Sequence, residues 1–464
     1  MSGHRGENRL ALERQVASDP IVEPNTRPDS TTHSKATTQP AVRPTATSRG
    51  PLWAVLAFLV VAISAVIGWM TRERWMEAPS LDRIGLMIDR REFGPADRHI
   101  RRYIAAHPND PEAIMLRGRL FGAQQHFDAC ARTLEQVPAD AVERAPALLQ
   151  AGRAWELARR RRNAERAWKE CLQNAGDDPE LPLVQQHCRR MLCRLYAIER
   201  RRNELWAMTD ELVQRIAPQQ RHEPLSMRTR FEFEMVDPQV ALVELEPAIE
   251  QDPEDWITRR AIGQYQLEAS NTEKARAQLY RCVQADRDSL AAWEAWLRCL
   301  FETADIFGLE QAIPDLPPAA DASAECWKYR AIVAERKKDL DGAIAAARRA
   351  VELRPSEGEH YHRLGQLLMQ AGDKDNGQAM LARNQELQDA QQQLRDGFDA
   401  YRRDYSAGSA DQKAEIAFRL GQGYAGLGRN SEAAAWYRVA LSENPSHSPS
   451  IGALQQLQSG AGNE

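Results

Sequence analysis

Hydrophobic and polar positions divide this chain into three zones. Between Leu52 and Met70 the residues read LWAVLAFLVVAISAVIGWM, without one charge. As a helix this run reaches roughly 28 Å, close to the hydrocarbon thickness of a bilayer. Its Leu, Val, Ile and Phe side chains together favour insertion by about 5 kcal/mol. Trp53, Trp69 and Trp75 stand at the ends, where indoles prefer the interface. The pattern predicts one transmembrane helix over 52–70. A buried core helix and a cleaved signal peptide are the competing readings; Ala62 and Ser64 resemble a cleavage site, but the leader ahead of the run is long for that role. Residues 1–51 contain no aromatic residue, and Pro20, Pro24, Pro28, Pro40, Pro44 and Pro51 punctuate a Ser/Thr-rich run. Such a tail buries too little apolar surface to offset ordering entropy and is predicted to be disordered.

From Glu77 onward small residues recur at a fixed interval. Ala414 to His447 reads AEIAFRLGQGYAGLGRNSEAAAWYRVALSENPSH. Within it Leu420, Gly421, Tyr424, Gly428, Ala433, Tyr437, Ala440 and Pro445 fall at positions 7, 8, 11, 15, 20, 24, 27 and 32 of a unit of about 34 residues. This resembles the tetratricopeptide repeat. Small residues at 8 and 20 let two antiparallel helices approach, large ones at 4, 7, 11 and 24 fill the gaps, and proline at 32 ends the second helix. A lone pair cannot bury its apolar face, so neighbours must stack.

The same frame fits upstream, with starts at Glu77, Pro111, Ala145 and Pro179, and again at His222, Trp256, Leu290, Ala324 and Gly358. Gly118, Gly152, Gly263, Gly365 and Gly421 share position 8. Ala96, Cys130, Ala164, Ala241, Ala275, Ala343, Gly377 and Ala433 share position 20, and Pro108, Pro253, Pro355 and Pro445 share position 32. About ten units therefore cover 77–447. The frame is irregular near 179–221, where Gln186 takes position 8 and an insertion follows, and near 290–323, where Leu297 and Leu309 take positions 8 and 20. A long helix is expected over 377–405, its Leu387, Leu394, Phe398 and Tyr401 serving either internal packing or a partner seam. Residues 448–464 read as a cap helix and tail. The expected fold is all-α: a tetratricopeptide-type solenoid of helical hairpins, wound as a right-handed superhelix, after the membrane helix and tail.

Charge narrows the partners. The net charge is −5, with 27% of residues charged and the two signs interleaved, so no single-sign field would hold a nucleic acid backbone. Orientation rests on a near balance of flanking charges, Lys35, Arg43 and Arg49 before the helix against Arg72, Arg74, Arg83 and Arg90 after it. The further tail residues Arg5, Arg9, Arg14 and Arg27 favour a cytoplasmic N-terminus and an extracytoplasmic solenoid, whereas seven cysteines, an odd number, sit awkwardly in an oxidising compartment. Their spacing suits packing thiols better than a zinc site.

Catalytic motifs are not evident. Gly421, Gly423 and Gly426 spell GxGxxG but lie within a repeat helix, without the preceding strand that a dinucleotide fold needs. His360 and His362 stand two apart, so they point in different directions, and His187, Cys188 and Cys193 are an equally weak set of ligands. Arg159 to Arg162 and Arg200 to Arg202 lie near turns and read as solvated surface, or else as a targeting address or an anionic-lipid patch. No enzyme activity, cofactor or metal is expected.

What the family resemblance implies is a concave groove lined from positions 5, 6 and 9 of the first helices. Those positions hold Arg119, Arg153, Arg230, Arg260, Arg298, Lys328, Arg363 and Arg419, against Asp82 and Glu294. An acidic peptide would suit such a lining. The alternative is a face neutralised by Glu112, Glu156, Glu325, Glu335 and Glu359 at positions 2 and 12. The Lys-then-Asn clamp of chaperone-tail binders is missing, since no Asn holds position 9. The expected function is a membrane-anchored scaffold for proteins; the alternative is a part of an envelope or polysaccharide-export assembly that binds glycan or a lipid-linked ligand.

Overall fold

Alternating short helices and tight turns make up the computed structural model, which describes residues 80–174, 181–233 and 236–460. The chain divides into two units, Met1–Met76 and Glu77–Glu464, and the helices below belong to the second. The tail at 1–51, the membrane helix at 52–70 and the first repeat start at Glu77 lie outside the described residues. Among the described residues the structure is all-helical, and no helix is long and apolar enough to cross a membrane.

The first hairpins are α1 (Leu81–Asp89) with α2 (Phe93–Ala106), α3 (Pro111–Ala123) with α4 (Phe127–Leu134), and α5 (Arg144–Leu157) with α6 (Arg161–Gln173). α7 (Leu181–Ile198) pairs with α8 (Arg202–Arg215). Next come α9 (His222–Phe233) and α10 (Pro238–Gln251), then α11 (Trp256–Glu268) with α12 (Thr272–Ala285), and α13 (Leu290–Glu302) with α14 (Ile306–Ala312). α15 (Ala324–Arg336) pairs with α16 (Leu340–Leu353), and α17 (Gly358–Gln370) with α18 (Lys374–Asp404). α19 (Ala410–Gly426) pairs with α20 (Asn430–Glu443), and α21 (Ser448–Gly460) follows.

One local device makes these hairpins. Position 15 is crossed with positive φ by Arg91, Gln125, Arg159, Ser270, Ala304, Lys338, Gly372 and Gly428. At each, the N–H of the next residue reaches back to a carbonyl five residues earlier, as Glu92 does to Met87 at 2.8 Å. This is the Schellman closure of a helix C-terminus, which satisfies the last carbonyls and reverses the chain. Packing then follows the repeat. A Cβ added at position 8, on Gly118, Gly152, Gly263, Gly365 or Gly421, would stand inside van der Waals contact of the position-24 side chain of the same unit: Leu134, Trp168, Leu279, Leu381 or Tyr437. The glycines are thus spaces into which the partner helix places its position-24 side chain.

The fourth unit is regular once its frame slides. α7 is 18 residues long, and its turn residue, Arg200, comes about two helical turns later than a start at Pro179 requires. A two-turn extension preserves the helix face. The small residue at position 8 is then Cys193 rather than Gln186, with Tyr196 at 11 and Leu205 at 20, all buried. The seventh unit does depart from the pattern: α14 has 7 residues and gives way to 3₁₀ turns at Ile313–Asp315 and Pro318–Ala322.

The fifth unit differs most from the sequence reading. α9 does not fold back along α10; it packs on α8, α18 and α20, while α10 packs on α11. Its positions 7 and 11 are Arg228 and Glu232, polar where a hairpin needs apolar bulk. Met227 and Phe231 pack against the core of units two to four, whereas Leu225 and Phe233 join Leu394, Phe398, Tyr424 and Trp436 in the core of the last two units. α9 therefore ties the middle of the stack to its end. The stripe on α18 is spent inside the chain, with Leu387, Leu394 and Phe398 buried against α19 and α9, so it is not a free partner seam. α21 covers the last hairpin with Ala453, Leu454 and Leu457.

Candidate functional site

Most of the predicted groove cations are already matched by carboxylates. Arg119 pairs with Asp89 of the preceding unit, and Arg363 with Glu335. Lys328 lies 2.9 Å from Glu359 and 3.7 Å from Glu325. Arg298 donates to Glu302 at 2.6 Å and approaches Glu268 at 3.7 Å, and Arg419 pairs with Glu415 of its own helix at 2.8 Å. Charge along this face thus forms a ladder between consecutive units, using three of the glutamates expected to neutralise it. Arg260 is half-buried; burial pushes its pKa down, and one Nη lies 3.5 Å from the Glu199 carbonyl oxygen. Arg230 stands on the displaced α9, so the groove frame does not apply to it.

Arg153 is different. It is exposed on α5 and has no carboxylate partner within ion-pair distance among the described residues. It opens into a cavity of about 660 Å³ over units one to three, walled by Ile88, Phe93, Phe127 and Leu157. A second cavity of about 500 Å³, walled by Leu81, Leu86, Met115 and Leu116, shares Asp89, Arg119 and Gln150 with the first. Leu86 and Leu157, both more than half exposed, frame one continuous trough with apolar walls and arginine heads. A third cavity, about 540 Å³, lies at the α9 seam; there Arg202 and Arg429 both donate to Glu232, at 3.1 and 2.6 Å.

Arg159 stays exposed at its turn, but the other members of the two arginine clusters are ion-paired within the chain. Arg161 and Arg201 are buried. Arg201 donates to Glu165 at 2.7 and 2.9 Å, Arg161 to Glu244 at 2.8 Å, and Arg200 to both oxygens of Glu268 at 2.5 Å. Arg162 reaches Glu165, Glu199 and Asp255. The network bolts α6 to the α7–α8 turn, α10 and α11, which explains why α10 holds its place without α9. Burial works to raise the Glu165 pKa, yet hydrogen bonds from Arg201 and Lys169 hold it down at about 2. The signal for this network was in the sequence: arginine runs whose neighbours Glu165, Glu199 and Glu204 could pair with them across a turn.

His187 and His362 stay exposed, and the remaining candidates pack. All seven cysteines are buried. Burial pushes Cys130, Cys282, Cys299 and Cys326 up to about 11 and Cys193 to about 12, far from the thiolate range of reactive cysteines. Gly421, Gly423 and Gly426 let α19 approach Tyr437 on one side and Leu394 and Ala390 on the other. His360 is buried, which lowers its pKa, and among the described residues no three His, Cys, Asp or Glu side chains are grouped as metal ligands.

No family model and no curated protein matches this chain. Solved structures similar to it include proteins described as tetratricopeptide repeat proteins. YrrB, described as a TPR protein with an unusual peptide-binding site, is 16% identical and covers 46% of this chain and 97% of its own, at a TM-score of 0.28. The APC/C hetero-tetramer Cut9–Hcn1 covers 84% of this chain and 98% of its own at 11% identity and 0.32, and a tetratricopeptide repeat protein from Parabacteroides merdae covers 68% and 98% at 13% and 0.29.

Proposed function

We propose that this chain is a membrane-anchored scaffold of the tetratricopeptide type, which holds an extended protein segment in the trough over units one to three. The observation that carries this reading is the pairing of apolar walls with Arg153, a guanidinium that no carboxylate of its own face engages. A carboxylate-bearing segment flanked by apolar side chains fits that lining, because arginine forks bind carboxylates in two-point contacts. The charge ladder further along, from Arg298 to Arg363, offers less, since a ligand there must first displace an internal partner. Anchoring comes from the apolar run at 52–70, with the N-terminal tail kept on the cytoplasmic side and the solenoid beyond the membrane. Binding without turnover is the expected activity.

The test is a photo-crosslinking side chain at Gln150, which both cavities share, in native membranes. Covalent protein adducts are expected there, lost when Arg119→Glu and Arg153→Glu are combined and kept when Lys328→Glu and Arg363→Glu are combined. Adducts indifferent to the first pair, or none at all, overturn the reading.

A further inference from the structure

We propose that the outward face of the first hairpin, carrying Arg83, Arg98 and Arg102, docks on anionic phospholipid headgroups of the bilayer; this rests on the anchoring of residues 52–70 proposed above. α1 turns Ile84 and Ile88 inward, and α2 turns Ala96 and Ile100 inward. On α2 this leaves Arg98, Arg101 and Arg102 on the solvent side, at the spacing that puts residues on one helix face. Arg101 is occupied by Asp97 at 2.9 Å, whereas Arg83, Arg98 and Arg102 have no carboxylate within ion-pair distance among the described residues. The three lie within one field: after burial, the charges of Arg102, Arg98 and Arg83 push the pKa of His99 down.

A cluster of exposed guanidiniums repels itself until an anion joins it. The buried arginines of α6 and the α7–α8 turn have met that need inside the chain; among the described residues Arg83, Arg98 and Arg102 have not. Phosphate oxygens suit them, because planar guanidinium forks bind phosphate in two-point contacts. In the sequence the hairpin begins about ten residues after the apolar run, a length of chain that can span at most roughly 35 Å. A basic residue at an anionic surface contributes about 1 kcal/mol, a factor of about five in occupancy, and three act together.

The experiment uses the full chain in lipid nanodiscs, of phosphatidylcholine alone or mixed with phosphatidylglycerol, and follows arginine modification by phenylglyoxal with mass spectrometry. Modification of Arg83, Arg98 and Arg102 is expected to slow at least fivefold in the anionic discs, while exposed Arg348 and Arg438 react alike in both. Combining Arg98→Gln with Arg102→Gln should return Arg83 to its rate in phosphatidylcholine. Equal rates in the two compositions, or equal slowing by inorganic phosphate alone, overturn the docking and leave the anchor standing. Failure of the chain to enter either disc overturns the anchor, and the docking with it.

Discussion

The Thr229 hydroxyl lies 2.8 Å from the Tyr424 hydroxyl, 195 positions along the chain, and both side chains are buried. Thr229 sits at position 8 of a unit that never closes, and Tyr424 at position 11 of the unit that α9 joins instead. Without the Thr229 hydroxyl, that of Tyr424 is left unpaired in a buried seam, at about 1–3 kcal/mol, whereas without the Tyr424 hydroxyl Thr229 still donates to the Leu225 carbonyl oxygen at 3.2 Å. In urea unfolding, Thr229→Val should destabilise by about that much and Tyr424→Phe by less, and the double variant by clearly less than the sum. Strictly additive losses would mean that the two groups do not depend on one another.

A second expectation concerns position 15. Left-handed backbone costs a non-glycine residue roughly 1 kcal/mol relative to glycine. Seven of the turns pay this cost, among them Ser270 at φ 61°, Ala304 at 55° and Lys338 at 63°. Ser270→Gly, Ala304→Gly and Lys338→Gly should each stabilise the chain by about 0.5–1 kcal/mol in thermal or urea unfolding. Gly428→Ala, at φ 73°, should do the reverse.

Much of the stack was legible because its rules are local. Pro111, His222, Trp256, Leu290, Ala324 and Gly358 each begin both a repeat frame and a helix, since period, small residues and turn all act within about 34 residues. Two features escaped that frame for physical reasons. Lengthening α7 by two turns leaves every face in register, so it looks like degeneracy until Cys193, Tyr196 and Leu205 are seen at positions 8, 11 and 20. The departure of α9 depends on partners some 200 residues away, and only Arg228 and Glu232 in apolar positions hinted at it. The charge of the groove was readable as composition, but its ladder was not, because pairing joins side chains of different units.

Acid should loosen the joint between the third unit and its neighbours. Glu165 titrates at about 2 in the fold against 4.5 as its unperturbed value. A folded pKa below the unfolded one means stability that is present above about 4.5 and lost as pH falls toward 2. The shift corresponds to roughly 3 kcal/mol at most, in a side chain that is largely buried. Unfolding free energy should therefore fall across that window, and Glu165→Gln should flatten the fall while lowering stability at neutral pH. An unchanged acid profile in the variant would remove Glu165 from the account.

The tightest test of the repeat itself is Gly263 against Leu279. A Cβ at Gly263 would stand 2.6 Å from Leu279 Cγ, inside a core where both residues are fully buried. Overpacking of this kind costs about 1–3 kcal/mol, while alanine regains up to about 1 kcal/mol of helix propensity, so Gly263→Ala should be net destabilising. Leu279→Ala alone opens a cavity and should cost about 2–5 kcal/mol. In the double variant the added methyl enters that cavity, so the two losses should sum to less than their parts. Gly452, in α21, has nothing within 4 Å of its missing Cβ, and Gly452→Ala should raise stability slightly by propensity alone. If Gly263→Ala behaved like Gly452→Ala, the close approach of the two helices at position 8 would not be what that glycine supplies.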